Sequence, residues 1–298
     1  MSSVPLPTAL SPSRAADFLQ CPLLFRFRTI DRIPEPPSIA ATRGTLVHAC
    51  LERLYELPAE TRTARTAVAL VTPQWDRLRA KRPELEEMFA DDAERDAWLE
   101  SARALVRRYF DLENPAALEP REREMALKVA LPTGLNLRGY VDRLDVAPSG
   151  QIRVVDYKTG KSPHPRFEDK AKFQVYFYAV MIWRDLGVVP TRLQLVYLGG
   201  EGAVRWYDPT EDELRAVESE ITDIWARIEA AGRTGEWAPR RSKLCGWCDH
   251  QAICPEFGGT PPPLPTHRPS SSMSGGQADA PPVPTDATGS AAPTAPPA

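Results

Sequence analysis

Apolar residues recur at two different periods along this chain, and the change between them divides it. Up to about residue 113 the spacing is helical. Ser11-Pro12-Ser13-Arg14 reads as a helix start, with Ser11 as N-cap and Pro12 at the first helical position. That helix runs through Phe18 and Leu19 and stops around Cys21-Pro22. Another opens at Arg43-Gly44-Thr45-Leu46-Val47-His48 and continues through Leu51, Leu54 and Tyr55. Residues 62–113 keep a helical pattern, with breaks expected at Pro73 and Pro83. The period then becomes two. Met125, Leu127, Val129 and Leu131 alternate with polar residues, as do Leu135, Leu137, Gly139 and Val141, and Pro132-Thr133-Gly134 between them predicts a hairpin. A third strand, Val154-Val155-Asp156-Tyr157-Lys158, follows the turn at Pro148-Ser149-Gly150.

Beyond it the two periods mix. Glu168 to Leu186 reads as a helix closed by Gly187, with Phe173, Phe177, Val180 and Met181 on its buried side. Leu193, Leu195 and Tyr197 alternate as a strand, and Val204 and Trp206 as another. Asp208-Pro209-Thr210-Glu211 starts a helix whose stripe is Leu214, Val217, Ile221, Ile224 and Ile228, with its end expected at Gly232. Helices, strands, one long helix, strands and a last helix predict an α/β (α+β) domain with a mixed central sheet.

Composition adds boundaries rather than chemistry. The chain has 298 residues and a net charge of −3, so bulk charge does not announce a polyanion-binding protein. Basic residues cluster locally, at Arg26, Arg28 and Arg32, around Lys158 through Lys172 with Arg166 among them, and at Arg240, Arg241 and Lys243. Phe25 and Phe27 alternate with arginines, a pattern that can stack bases and hold phosphates or pack inward as an ordinary element. Residues 1–10 and the Pro, Ser, Ala and Thr-rich stretch 259–298 are expected to be disordered, because they offer too little apolar surface to offset ordering entropy. No apolar run is long enough to span a bilayer and no signal sequence opens the chain, so a cytosolic location is expected.

Candidate chemistry sits at the ends of two strands. Asp156 and Lys158, two apart, point to one face of a strand while Tyr157 points to the other. Asp142 ends the preceding strand, and a hairpin would bring it to the same place. Carboxylates with water suit Mg²⁺ or Mn²⁺, and such an ion can activate water against a phosphodiester. Gln174 and Tyr178, four apart on the following helix, project together, as do His48 and Glu52 on the earlier one.

Cysteines mark a second candidate site. Cys245, Cys248 and Cys254 fall within ten residues, and Cys21 lies far upstream, followed like Cys254 by proline. Cys50 stands apart as a small apolar residue on a helix. Four thiolates suit either Zn²⁺ or a [4Fe–4S] cluster, and the spacing does not choose between them.

Taken together these blocks resemble the RecB-type branch of the PD-(D/E)xK nuclease superfamily, in particular its iron–sulfur single-domain exonucleases and the similar CRISPR-associated nucleases. The resemblance runs from about Ser11 to Pro255. It rests on Leu10-Ser11-Pro12-Ser13-Arg14 with Cys21-Pro22, the block ending at His48, Gly139-Tyr140-Val141-Asp142-Arg143-Leu144-Asp145, Asp156-Tyr157-Lys158-Thr159-Gly160, Gln174 through Tyr178, and the three late cysteines. It implies a restriction-endonuclease-like core over residues 11–258, with a helical insertion at about 60–115 and a cluster-binding end at 240–256. It implies a divalent metal on Asp142, Asp156 and His48, with the Tyr157 carbonyl as a further ligand, and Lys158 positioning the attacking water. Gln174 and Tyr178 would support the site and touch the DNA backbone. Cys21, Cys245, Cys248 and Cys254 would hold the cluster, and the substrate would be DNA, single-stranded or with free ends, in repair or recombination, with a helicase as a possible partner. The rival expectations are a non-cleaving DNA-binding or scaffold subunit of a helicase–nuclease complex, and a zinc-binding DNA-binding protein.

Overall fold

The period-two stretches pair into one five-stranded sheet, in spatial order β1 (Glu122–Ala130), β2 (Asn136–Val146), β3 (Ile152–Lys161), β4 (Arg192–Gly199) and β5 (Ala203–Tyr207). The computed structural model describes residues 4–164 and 168–265. Residues 1–3 of the leading segment, Arg166 and the tail from residue 266 lie outside the described residues. Neighbouring strands are antiparallel except β3 and β4, which run parallel and are joined by the helix Asp169–Leu186. The sheet is therefore mixed, with helices on both faces, as the alternating periods predicted.

Alternation along the central strands feeds two separate cores. Val154 and Leu195 point to one face and Val155 and Val196 to the other. The first face is covered by α1 (Pro12–Gln20), α2 (Pro22–Phe25) and two later helices, Asp169–Leu186 and Glu211–Thr234. The second is covered by α3 (Ile39–Leu54), α4 (Ala64–Ala69), α5 (Val71–Lys81) and α6 (Asp92–Leu112). With these named, Asp169–Leu186 is α7 and Glu211–Thr234 is α8. Among the described residues, no helix is long and apolar enough to cross a membrane.

Several element ends follow their caps. Ser11 accepts from Arg14 N–H, Thr210 and Glu213 form a reciprocal capping box, and Gly187 takes the left-handed conformation that closes α7. Two boundaries differ from the sequence pattern. Pro73 does not break α5, because as its third residue it lies in the first turn, where its N–H has no helical partner to lose. Helix α8 passes through Gly232 to Thr234; that glycine is buried where a Cβ would stand 3.0 Å from Leu6, so it serves packing rather than termination.

The aromatic, basic segment takes the inward-packing option of its two readings. From α2 the chain widens into a π-helical turn, Arg26–Asp31, closed by left-handed Arg32. Phe25, Arg26 and Phe27 are all buried, with Phe25 stacked on Trp237 at 5.7 Å and Arg26 paired to Asp31 at 2.9 Å. No base can stack there.

Both expected disordered ends reach into ordered packing. Leu10 is buried and forms a parallel bridge to Leu137, while Val4 and Leu6 join the first core. At the other end Gly259 N–H bonds Cys254 O at 2.9 Å, buried Arg26 donates to Pro262 O, and Leu264 packs on the core beside Gly235. Ending the chain at Phe257 should therefore lower the melting temperature by several degrees relative to ending it at Pro265, since a buried guanidinium loses a partner worth about 1–3 kcal/mol. Equal melting of the two truncations would show that this packing contributes nothing.

Candidate active site

The site forms where two strands part. The antiparallel ladder between β2 and β3 ends at the pair Arg143–Val155. Beyond it the Tyr157 N–H has no β2 carbonyl to reach, and Asp142 Oδ2 accepts from it at 2.6 Å. On β3 itself Asp156 and Lys158 share a face as the alternation predicted, both buried, with Lys158 Nζ 2.7 Å from Asp156 Oδ2. Helix α7 supplies the next layer. Lys158 Nζ donates to Gln174 Oε1 at 2.8 Å, and Gln174 Nε2 donates to the Tyr178 hydroxyl at 3.2 Å. The Tyr178 ring packs against Gly139, where a Cβ would stand 2.8 Å from it. It is only 1% exposed, so it braces Gln174 and does not reach a bound strand, contrary to the expected backbone contact.

Helix α3 delivers His48 from the opposite face. Its Nε2 is 3.1 Å from Tyr157 O and its Nδ1 is 3.3 Å from Asp142 Oδ1. A carbonyl can only accept, so Nε2 carries the proton and Nδ1 faces the carboxylates. The Tyr157 carbonyl, expected as a metal ligand, thus orients the imidazole, which is the usual supporting arrangement for a metal-binding histidine.

The sequence pattern overlooked one member of this cluster. Register places Glu124 of β1 opposite Asp142, between the pairs Arg123–Arg143 and Met125–Val141, yet these two residues do not pair. Glu124 has φ 45°, a left-handed backbone rare for this residue type, and its Oε1 comes within 3.9 Å of His48 Nδ1. His48, Glu124 and Asp142 each bring one ligand atom within 4.8 Å of the others, so the three can hold a metal ion. Asp156 stands beside this trio and leans to Lys158.

Charge in the cluster is unbalanced. Burial lifts Glu124, the neighbouring Asp142 carboxylate adds to it, and its pKa reaches about 8. Burial likewise raises Asp156, against the pull of Lys158, to about 6. For His48 burial acts downward, but Asp142 and Glu124 outweigh it and lift the imidazole to about 9. Buried Asp156 Oδ2 is held by the Lys158 ammonium at 2.7 Å, while buried His48 Nδ1 meets no hydrogen-bond donor among the described residues. Buried carboxylates, an unpartnered imidazole nitrogen and a shortage of positive charge fit a hard divalent cation.

Arg143, next to Asp142, points the other way and is completely buried. It donates to the hydroxyls of Tyr157, Tyr109 and Tyr55 at 2.7, 2.9 and 3.0 Å, and pairs with Glu113 at 2.8 Å and Asp145 at 3.1 Å. The Tyr157 side chain is thereby fixed from the second core while its backbone serves Asp142 and His48. Tyr109 and Glu113 belong to the helical stretch 62–113, to which the sequence assigned no chemistry.

The cysteines come together as a second site. Cys21 lies at the α1–α2 junction, and Cys245, Cys248 and Cys254 lie on the segment after α8; all four line one cavity. Backbone N–H groups of Arg240 and Ser242 point at the sulfurs of Cys21 and Cys245, both at 3.3 Å. Cys50 is buried in the other core, where burial pushes its thiol up to about 12.

This fold and this cluster define a nuclease of the PD-(D/E)XK superfamily: the chain matches that family's model over residues 9–255 and belongs to it. It is 24% identical to the gene 69 protein of Mycobacterium phage D29, over 86% of this chain and 100% of that protein. With the gene 69 protein of Mycobacterium phage L5 it shares 28% identity over 130 residues, 42% of this chain and only 41% of that protein. Among solved structures, a Eubacterium rectale protein proposed to be an exonuclease superposes with a TM-score of 0.54 at 16% identity, covering 83% of this chain and 89% of that one. That likeness bears on the fold alone.

Proposed function

We propose that this protein is a metal-dependent exodeoxyribonuclease of the RecB-like type, acting on single-stranded DNA or DNA ends in repair or recombination. The observation that carries this reading is the union, where the β2–β3 ladder parts in mid-sheet, of Asp142, Asp156, Lys158, His48 and Glu124, with no donor at His48 Nδ1. His48, Glu124, Asp142 and Asp156 would hold Mg²⁺ or Mn²⁺, which would neutralise phosphate charge and make water a better nucleophile at neutral pH. Lys158, locked between Asp156 and Gln174, would hold the attacking water and offset charge developing on the phosphate. Water oxygen bonds to phosphorus, the P–O3′ bond breaks, and the fragments carry a 5′-phosphate and a 3′-hydroxyl. The bond from Tyr157 N–H to Asp142 would keep β2 and β3 together where their ladder parts. A non-cleaving scaffold has no use for so tightly held a lysine.

The four cysteines would bind a [4Fe–4S] cluster. All four line one cavity, and four thiolates suit that cluster or Zn²⁺; the family resemblance favours the cluster. A helicase is the partner such a nuclease unit would need to open duplex DNA.

The test is cleavage of single- and double-stranded DNA labelled at each end in turn, with Mg²⁺ or Mn²⁺ and on protein purified without oxygen. Metal-dependent products with 5′-phosphates are expected, with iron and sulfide in the protein. Absence of cleavage on every substrate with either metal would overturn the reading.

A further inference from the structure

We propose that Trp247, with Leu244 and Phe257 at the mouth of the cysteine cavity, is a base-stacking platform that binds single-stranded DNA outside the catalytic cluster. The inference rests on the nuclease reading and adds a second point of substrate contact. It begins with local geometry. Lys243–Trp247 is a 3-10 turn capped by Ser242, and in such a turn residues three apart eclipse each other. Leu244 and Trp247 therefore lie on one side of the turn; Leu244, Cys245 and Cys248 line the cavity, and Trp247 projects past it. Fixing the two cysteines commits Trp247 to the outside.

Its exposure has no folding rationale. Trp247 is 67% exposed and Phe257 44%, and Leu244 is exposed beside them. Leu244 and Phe257 both border the cysteine cavity. Among the described residues the Trp247 ring meets no other aromatic ring. Large apolar side chains displayed together on a rigid segment mark a binding surface.

The charges around it select the occupant. Arg240, Arg241 and Lys243 precede Trp247 in the chain and form no ion pair among the described residues, and the Arg241 guanidinium lies 5.5 Å over the Phe257 ring. Asp249 and Glu256 are the carboxylates of the same segment, leaving cations in excess. Aromatic faces interleaved with unpaired arginine and lysine suit unpaired bases and the phosphates between them. A duplex keeps its bases stacked inside and offers no such face.

The test uses the full-length Asp156→Asn chain, so that DNA is held without being cut, and measures binding of fluorescent oligo-dT across a salt series. Adding Trp247→Ala should weaken binding by about tenfold, while Trp247→Phe should stay within about threefold of the parent. Arg241→Ala should make the slope of log affinity against log salt shallower by about 0.7. Iron content and melting temperature should be unchanged in all three. Equal affinity with and without Trp247→Ala would overturn the proposal, as would a parent that self-associates through Trp247 with no change in DNA affinity. The nuclease reading fails separately: unmutated protein that cuts no DNA would sink it. Protein that cuts DNA but ignores Trp247→Ala removes only this platform.

Discussion

Lys158→Ala should lower the rate of DNA cleavage by about a thousandfold, the scale on which a preorganised charge at a reacting centre acts. The ammonium is held on two sides, by Asp156 at 2.7 Å and Gln174 at 2.8 Å, and neither neighbour can supply its charge. Lys158→Arg should fail almost as badly, because the planar guanidinium cannot occupy the space of a compact ammonium between those groups. Asp156→Asn is the matched variant and should be equally inactive, since it removes the carboxylate that both aims the lysine and faces the trio of His48, Glu124 and Asp142. Rates come from end-labelled DNA with Mg²⁺, alongside a melting curve for each protein. A folded Lys158→Ala variant that cuts within tenfold of wild type would show that the lysine has no part in the chemistry.

Much of this site could be read before any coordinates. A strand shows its alternation directly, so Asp156 and Lys158 fall on one face by spacing alone, and Gln174 and Tyr178 fall together by helical repeat. The caps at Ser11 and Thr210 and the stop at Gly187 are local events that need no tertiary knowledge. What escaped depends on distant contacts. Glu124 looks like one more polar position on a half-exposed strand, and only counting register back from the Pro132-Thr133-Gly134 turn places it opposite Asp142. Arg143 sits between Asp142 and Leu144 as an apparently solvated charge, yet three tyrosines and Glu113 from remote segments bury it. The fate of Phe25 and Phe27 was likewise undecidable locally, because Trp237 and His250, which cover them, arrive from the end of the chain.

With the proposed cluster on the four cysteines, Cys21→Ala should release most of its iron and make the protein sensitive to proteases, with a fall in melting temperature of about 10 °C or more. Arg240 N–H reaches the Cys21 sulfur across 219 residues, so a group bound there closes nearly the whole chain into a loop. Closing a loop of that length costs the unaided chain entropy, and ligation by all four cysteines would return it as folding free energy. Cys50→Ala is the internal control; its thiol is buried in the opposite core and the change should cost a few degrees at most. The measurements are iron per chain after anaerobic purification and the half-life under limited proteolysis. Equal iron and equal resistance in Cys21→Ala and wild type would leave the three late cysteines as a purely local site.

The left-handed backbone at Glu124 sets stability against activity. Holding a side chain with a Cβ at φ 45° costs about 1 kcal/mol or more, and it also forfeits a rung of the ladder between β1 and β2. Glycine would relieve the strain at once, and a screen for heat resistance alone should find it. Such a variant would lose a carboxylate within reach of His48 Nδ1, and with it part of the field that draws a cation into the cluster. Thermostabilisation of this nuclease is thus expected to meet a trade-off at a residue that an inventory of its D-x-K motif does not contain.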